Sequence, residues 1–140
     1  MSQINTPRVL IGGVLAGIVV NIGEFLLNGV ILADYYAEMG GRLGLPAMTT
    51  KVFVVFILLS LLLGIAAVWL YAAARPRLGP GVLSAAKIAL AVWFFGYVNS
   101  AAGLWGIGLM DTNTALLALT WGFVEIQLAV IMGAWLYREP

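Results

Sequence analysis

Four long apolar runs organise the chain: Val9–Leu32, Val52–Ala74, Lys87–Leu109 and Ala115–Tyr137. Each meets the requirement of about 20 residues for a helix that crosses a bilayer. Apolar residues follow one another continuously in these runs, whereas a lipid-facing barrel strand needs apolar and polar positions to alternate. The pattern therefore predicts an all-α fold, a four-helix transmembrane bundle. It forms one membrane domain over residues 1–140, with spans at approximately 9–32, 52–74, 87–109 and 115–137. Boundary residues agree with this division. Thr6-Pro7 reads as a cap and first-turn proline, Thr49 or Thr50 can cap the second span, and Asp111 to Asn113 can cap the fourth. Pro76 is expected to close the second helix by disfavouring the helical conformation at Arg75. The first run is too long for the apolar region of a signal peptide. It carries Asn21 and Glu24 where a cleavage site would fall, so it is expected to be retained.

The charged positions orient the bundle. Arg8, Arg75, Arg77, Lys87 and Arg138 fall on one side of the membrane, and only Arg42 and Lys51 on the other. The excess of Lys and Arg marks the cytoplasmic side, so both termini are expected to be cytoplasmic. Trp69, Tyr71, Trp135 and Tyr137 end their helices on that side, as interfacial aromatic residues do. The repeated Trp-Leu-Tyr of residues 69–71 and 135–137 reads as two such boundaries, or as a faint duplication of one helical hairpin.

Composition sharpens this picture. Hydrophobic residues make up 63% of the chain and charged ones 9%, at a mean hydropathy of +1.05. So few charges cannot coat a soluble domain of this length. A net charge of +1 gives no reason to expect a nucleic-acid partner. Cys and His are both absent, which removes thiolate chemistry and the commonest metal ligand and general base. No cofactor and no metal is expected.

The polar residues inside the runs are the informative ones. Glu24 and Glu125 are the charged groups well inside the spans, and a carboxylate there normally faces protein or a water-filled cavity. Gly13, Gly17, Asn21, Glu24 and Asn28 follow one another at spacings of four, four, three and four, which places them along one face of the first helix. Gly122, Glu125, Ala129 and Gly133 do the same on the fourth. Gly64 accompanies Ser60 on the second helix, and Gly96 and Gly103 accompany Asn99 on the third. Such small-residue faces suit close helix packing in lipid. Counted from the non-cytoplasmic ends, Glu24, Ser60, Asn99 and Glu125 all lie roughly 13–17 Å deep. A shared polar layer is expected there, with Asn21 and Asn28 one turn to either side. Two carboxyl groups in one low-dielectric site favour a shared proton. The layer could be interhelical glue, or a working proton or solute site. Gln127 and Thr120 lie on another face of the fourth helix, where a neighbouring subunit could meet them. Trp93 and Trp121 are expected as core contacts.

Three stretches together carry a resemblance: Gly12-Gly13 with Asn21-x-Gly23-Glu24-Phe25 and Asn28-Gly29, Trp69-Leu70-Tyr71 with Arg75-Pro76-Arg77, and Val124-Glu125 with Trp135-Leu136-Tyr137-Arg138-Glu139. The chain resembles a group of small uncharacterised four-helix integral membrane proteins of bacteria, over its whole length. That resemblance implies a place in the bacterial inner (plasma) membrane and brings no activity or catalytic residue with it. No enzyme is expected. The leading expectation is a packing or accessory subunit in the lipid bilayer, as a homo-oligomer or part of a larger membrane complex, organised by the Glu/Asn layer. The alternative is a small proton-coupled transporter or channel using Glu24 and Glu125.

Overall fold

The structure, a computed structural model, describes residues 4–46 and 48–139. Residues 1–3, 47 and 140 of the expected 1–140 domain lie outside the described residues. All regular structure among the described residues is helical. Helix α1 (Thr6–Leu26) runs through a π turn, Leu27–Ile31, to α2 (Ala33–Leu43). Helix α3 (Thr50–Leu78) follows, then α4 (Val82–Trp93), which continues through a second π turn, Phe94–Val98, into α5 (Asn99–Gly106). Helix α6 (Thr112–Leu136) ends the chain's regular structure. Four segments are long and apolar enough to cross a membrane: Thr6–Ile31, Thr50–Leu78, Val82–Gly106 and Thr112–Leu136.

The boundaries move by a few residues from those expected, each for a local reason. Asn5, not Thr6, caps α1, its side chain accepting from the Arg8 amide at 3.3 Å. Thr49 caps α3, and Asp111 caps α6 by accepting from the Asn113 and Thr114 amides at 3.0 Å. Bonds from the Thr114 hydroxyl first, then from these amides, hold the Asp111 carboxyl below its ordinary range. Pro76 does not close α3. It sits inside the last turn, and the helix ends at Gly79, whose φ of 82° only glycine adopts without strain. Gly40 and Gly41, between the first two apolar runs, are also helical, near the end of α2.

Helix α1 packs between α3 and α6, and α4 packs on the other side of α6. Lipid tails are as apolar as leucine, so burial of apolar surface does not drive these helices together; close packing does. The glycines supply it. A Cβ on Gly17 would lie 2.6 Å from the Leu61 Cα, and one on Gly133 would lie 2.7 Å from the Gly12 carbonyl oxygen. Gly13 and Gly64 are equally tight across the α1–α3 contact. Ala129 of α6 is fully buried in the same core. The largest fully buried side chains are Ile126, Val20, Val68 and Val130, and the rest of the core is mostly alanine. Most leucines and the phenylalanines lie outside, with Leu62, Phe56 and Leu59 more than half exposed. Lipid contact suits this inverted distribution.

Two expected packing glycines are not at an interface. Gly96 and Gly103 have open space where a Cβ would stand, and Asn99 between them is exposed. The π turn is the reason. An i→i+5 turn holds about one residue more than an α turn, so it rotates everything beyond it by roughly 100°. The inward face becomes Ala85, Ala89, Trp93, Tyr97 and Ala101, at spacings of four throughout.

The end bearing both termini is tied separately. The Tyr71 and Tyr137 rings meet edge to face, with centroids 6.1 Å apart, and both are buried. Neither is the interfacial belt residue expected; Trp69 and Trp135 alone point outward from the repeated Trp-Leu-Tyr. The Asn5 amide donates to the Tyr137 hydroxyl and the Gly81 amide to the Tyr71 hydroxyl. Arg75 lies over the Tyr137 ring, with its Nη1 3.0 Å from Glu139 Oε1. Four helix ends are thereby joined.

The packing makes a direct test. Gly17→Leu should destabilise the protein by about 1–3 kcal/mol or more, the usual cost of overpacking. Ile18→Leu, at a neighbouring exposed position, should be close to neutral. Unfolding of the two variants in detergent measures the difference; equal stability would refute the close contact of α1 with α3.

Candidate functional site

The deepest polar cluster is built around Glu125, the one acidic side chain buried among the described residues. Helix α6 carries it 13 residues beyond Thr112, roughly 20 Å along a helix that spans the bundle. Its two oxygens receive two donors. The Tyr97 hydroxyl donates to Oε1 at 2.6 Å, and the Trp121 indole N–H donates to Oε2 at 3.1 Å. The same indole N–H also lies 3.2 Å from the Gly23 carbonyl, so Trp121 straddles α1 and α6.

Two glycines make this arrangement possible. A Cβ on Gly122 would strike the Tyr97 ring, and a Cβ on Gly23 would strike the Glu125 carboxyl group. Gly122 therefore lets a phenol from the third span cross α6, and Gly23 lets a carboxyl group touch the α1 backbone. The π turn at Phe94–Val98 turns Tyr97 toward that space. Such turns are often found at functional sites.

Glu24 stands in the same layer, within electrostatic reach of both Glu125 and Tyr97. Asn28, in the first π turn, donates to Glu24 Oε2 at 2.5 Å. Above it lies Tyr36 of α2, whose phenol is pushed up from its ordinary pKa by burial first, then by the charges of Glu24 and Tyr35. Tyr35 donates to the Leu109 carbonyl and ties α2 to the turn before α6.

Of the six residues expected in the layer, three come together here: Glu24, Asn28 and Glu125. Asn21 instead fastens α1 to α3, its amide donating to the carbonyls of Gly17 at 3.0 Å and Ile57 at 3.3 Å. Ser60 is half-buried beside Gly17, and Asn99 is exposed; neither joins a carboxylate through a hydrogen bond among the described residues. Gln127 reaches the Ala86 carbonyl of α4 at 3.3 Å, within the chain. Trp93 fills the α4–α6 contact, bonding the Leu119 carbonyl and stacking edge-on with Phe123.

Tyr97, Trp121 and Gly23 are the site residues that sequence reasoning missed. Tyr97 had a signal: it is a phenol nine residues inside the third span's far end, deeper than a belt tyrosine. Trp121 stands one turn before Glu125 on the same helix, which also could have suggested a bond.

A groove opens beside this cluster, between α1 and α6. It encloses about 410 Å³ and is lined by Val19, Ile22 and Gly23 on one side and by Trp121, Glu125 and Leu128 on the other. Its rim consists of apolar side chains that are more than half exposed, Ile22, Val124 and Leu128 among them. The groove therefore faces the surroundings of the bundle at the level of the carboxyl pair. Among the described residues no group of three or more His, Cys, Asp or Glu side chains is placed to hold a metal ion. No family model, curated protein or solved structure matches the chain.

Chemically, the site is a pair of proton acceptors surrounded by donors. The ion pair of Arg75 with Glu139 lies at the far end of α3, and no Lys or Arg of the described residues pairs with either carboxylate. Two substitutions test the geometry. Tyr97→Phe removes a donor from a buried carboxyl group and should cost about 1.5–3 kcal/mol of stability. Gly23→Ala should displace the Glu125 carboxyl group and destabilise the protein as well, whereas Gly29→Ala, beside the flexible Phe25 ring, should cost much less. Thermal unfolding in detergent reads all three.

Proposed function

We propose that the chain is a non-enzymatic multi-pass membrane protein, with both termini cytoplasmic, that exchanges protons or a cation at the Glu24–Glu125 pair. It is a small proton-coupled carrier. One observation carries this reading: two carboxyl groups share a layer inside the bundle with no basic side chain beside them, and one of them borders an open groove. Burying an ionised carboxylate in a span costs several kcal/mol. Neutralisation must come from outside the protein, as a proton or a cation, and uptake and release of either is the elementary step of coupled transport.

A second reading is supported by the donor on each oxygen of Glu125. Under it the layer is a fastener, and the protein is a packing or accessory subunit of a larger complex or a homo-oligomer. The unoccupied face of Gly96, Asn99 and Gly103 would then meet another helix. Residence in a bacterial plasma membrane rests on the resemblance alone.

Infrared difference spectroscopy of reconstituted protein distinguishes the two readings. A working site should show a carboxyl band that titrates reversibly within about pH 5 to 9, where buried glutamates are documented to titrate. Glu125→Gln and Glu24→Gln should each change or abolish it while leaving stability nearly intact. A carboxyl band that stays unchanged across this range would leave the fastener.

Orientation has its own test. Five of the seven Lys and Arg residues lie toward one end, so reporter fusions within residues 75–81 and after the last residue should both read cytoplasmic. A fusion at Gly41 should read the opposite side. Any other pattern overturns the topology.

A further inference from the structure

We infer that the groove between α1 and α6 is a binding site for a lipophilic monocation, an apolar amine or onium ion, with the Glu125 carboxylate as its counter-charge. The inference deepens the carrier reading and rests on it. Four properties of the groove select this class of ligand.

The first is size. A volume of about 410 Å³ falls within the range of small-molecule sites, about 300–1,000 Å³. The second is the route of entry. The rim of Ile22, Val124 and Leu128 is exposed and apolar, and it lies midway along helices apolar enough to be surrounded by hydrocarbon. A ligand reaching it must already partition into lipid, which a hydrated metal ion does not.

The third is charge. The inner wall carries Glu125, with Glu24 within electrostatic reach and no basic residue paired with either. An anion is repelled by that wall. A neutral acyl chain would satisfy the apolar lining but leave a proton as the carboxyl pair's only counter-charge. A monocation answers both. The fourth is the fixed aromatic wall. Trp121 is held by two acceptors, Glu125 Oε2 and the Gly23 carbonyl, and an indole beside a carboxylate suits a cation with apolar substituents. Gly23 completes the site, because any side chain there would occupy the position of the Glu125 carboxyl group.

Protons and the ligand then compete for one carboxyl pair. Each cation that enters displaces a proton, and protonation releases the cation, with charge balanced at every stage.

Tetraphenylphosphonium is the probe. Equilibrium dialysis of the full-length protein in detergent should show saturable binding that strengthens as pH rises. Glu125→Gln should weaken it by about tenfold or more. Leu128→Trp should do the same by filling the groove while leaving both carboxyl groups in place, and Ile18→Leu should change nothing. Triphenylphosphine oxide, of similar shape and no net charge, should compete poorly. Absent or non-saturable binding, equal binding by Glu125→Gln, or equal competition by the neutral analogue would overturn the inference. If Glu125→Gln does not fold, the pH dependence of the unmodified protein and the Leu128→Trp variant still decide it. A carboxyl band that titrates without tetraphenylphosphonium binding would refute this ligand class and leave the carrier reading standing. Glu125-dependent binding without a titrating band would do the reverse.

Discussion

Helices in lipid gain nothing from hiding apolar surface, and this constraint explains where α1 stands. Its glycines at positions 12, 13 and 17 let two other helices approach to backbone distance. Dispersion forces fall steeply with a gap of even half an ångström, so the contact with α3 and α6 depends on those missing side chains. Two of the interior's polar contacts follow from it. Asn21 can reach the Ile57 carbonyl because α3 is that close. Glu125 can lie against the α1 backbone because Gly23 leaves the space.

Much of this was legible in the sequence, because the signals were local and periodic. Runs of apolar residues of the right length marked the four spans, and the small residues at positions 13, 17, 64, 122 and 133 lie on the faces that helical spacing assigned them. The third span was legible only as far as Trp93. Beyond it, an α period projects Gly96, Asn99 and Gly103 inward, and the π turn rotates them out. A π turn has no strong sequence signature, since it arises from packing on neighbouring helices. The same turn concealed Tyr97, which an unbroken α-helix would have turned by about 80° from Ala89.

The aromatic residues show a related limit. Trp-Leu-Tyr at a helix end reads as an interfacial belt, and for Trp69 and Trp135 the exposure fits. Tyr71 and Tyr137 turn inward instead, because each hydroxyl has a backbone amide from another helix end to accept from. Hydrogen-bond partners of this kind are set by tertiary structure. A belt and a clamp look alike until the neighbouring chain ends are in place.

Both π turns occur beside a carboxyl group: the first contains Asn28, one turn from Glu24, and the second contains Tyr97, which bonds Glu125. A regular helix in lipid satisfies all its own backbone groups, so a departure from it has to be compensated by something else nearby. Here a polar side chain in each turn bonds a carboxyl group that would otherwise be costly to hold. The donors reduce that cost without neutralising the charge, because a phenol, an indole and an amide are all uncharged. A lysine or arginine in the same place would have closed an ion pair within the protein and left nothing to exchange. Under the proposed carrier reading, neutral donors hold the carboxyl pair in position and leave it open to a proton or a cation. A purely structural layer could have been built from asparagines, as Asn21 demonstrates on the same helix, within one turn of Gly23. The use of two carboxyl groups, stabilised yet uncompensated, is the feature that a fastening role alone does not require.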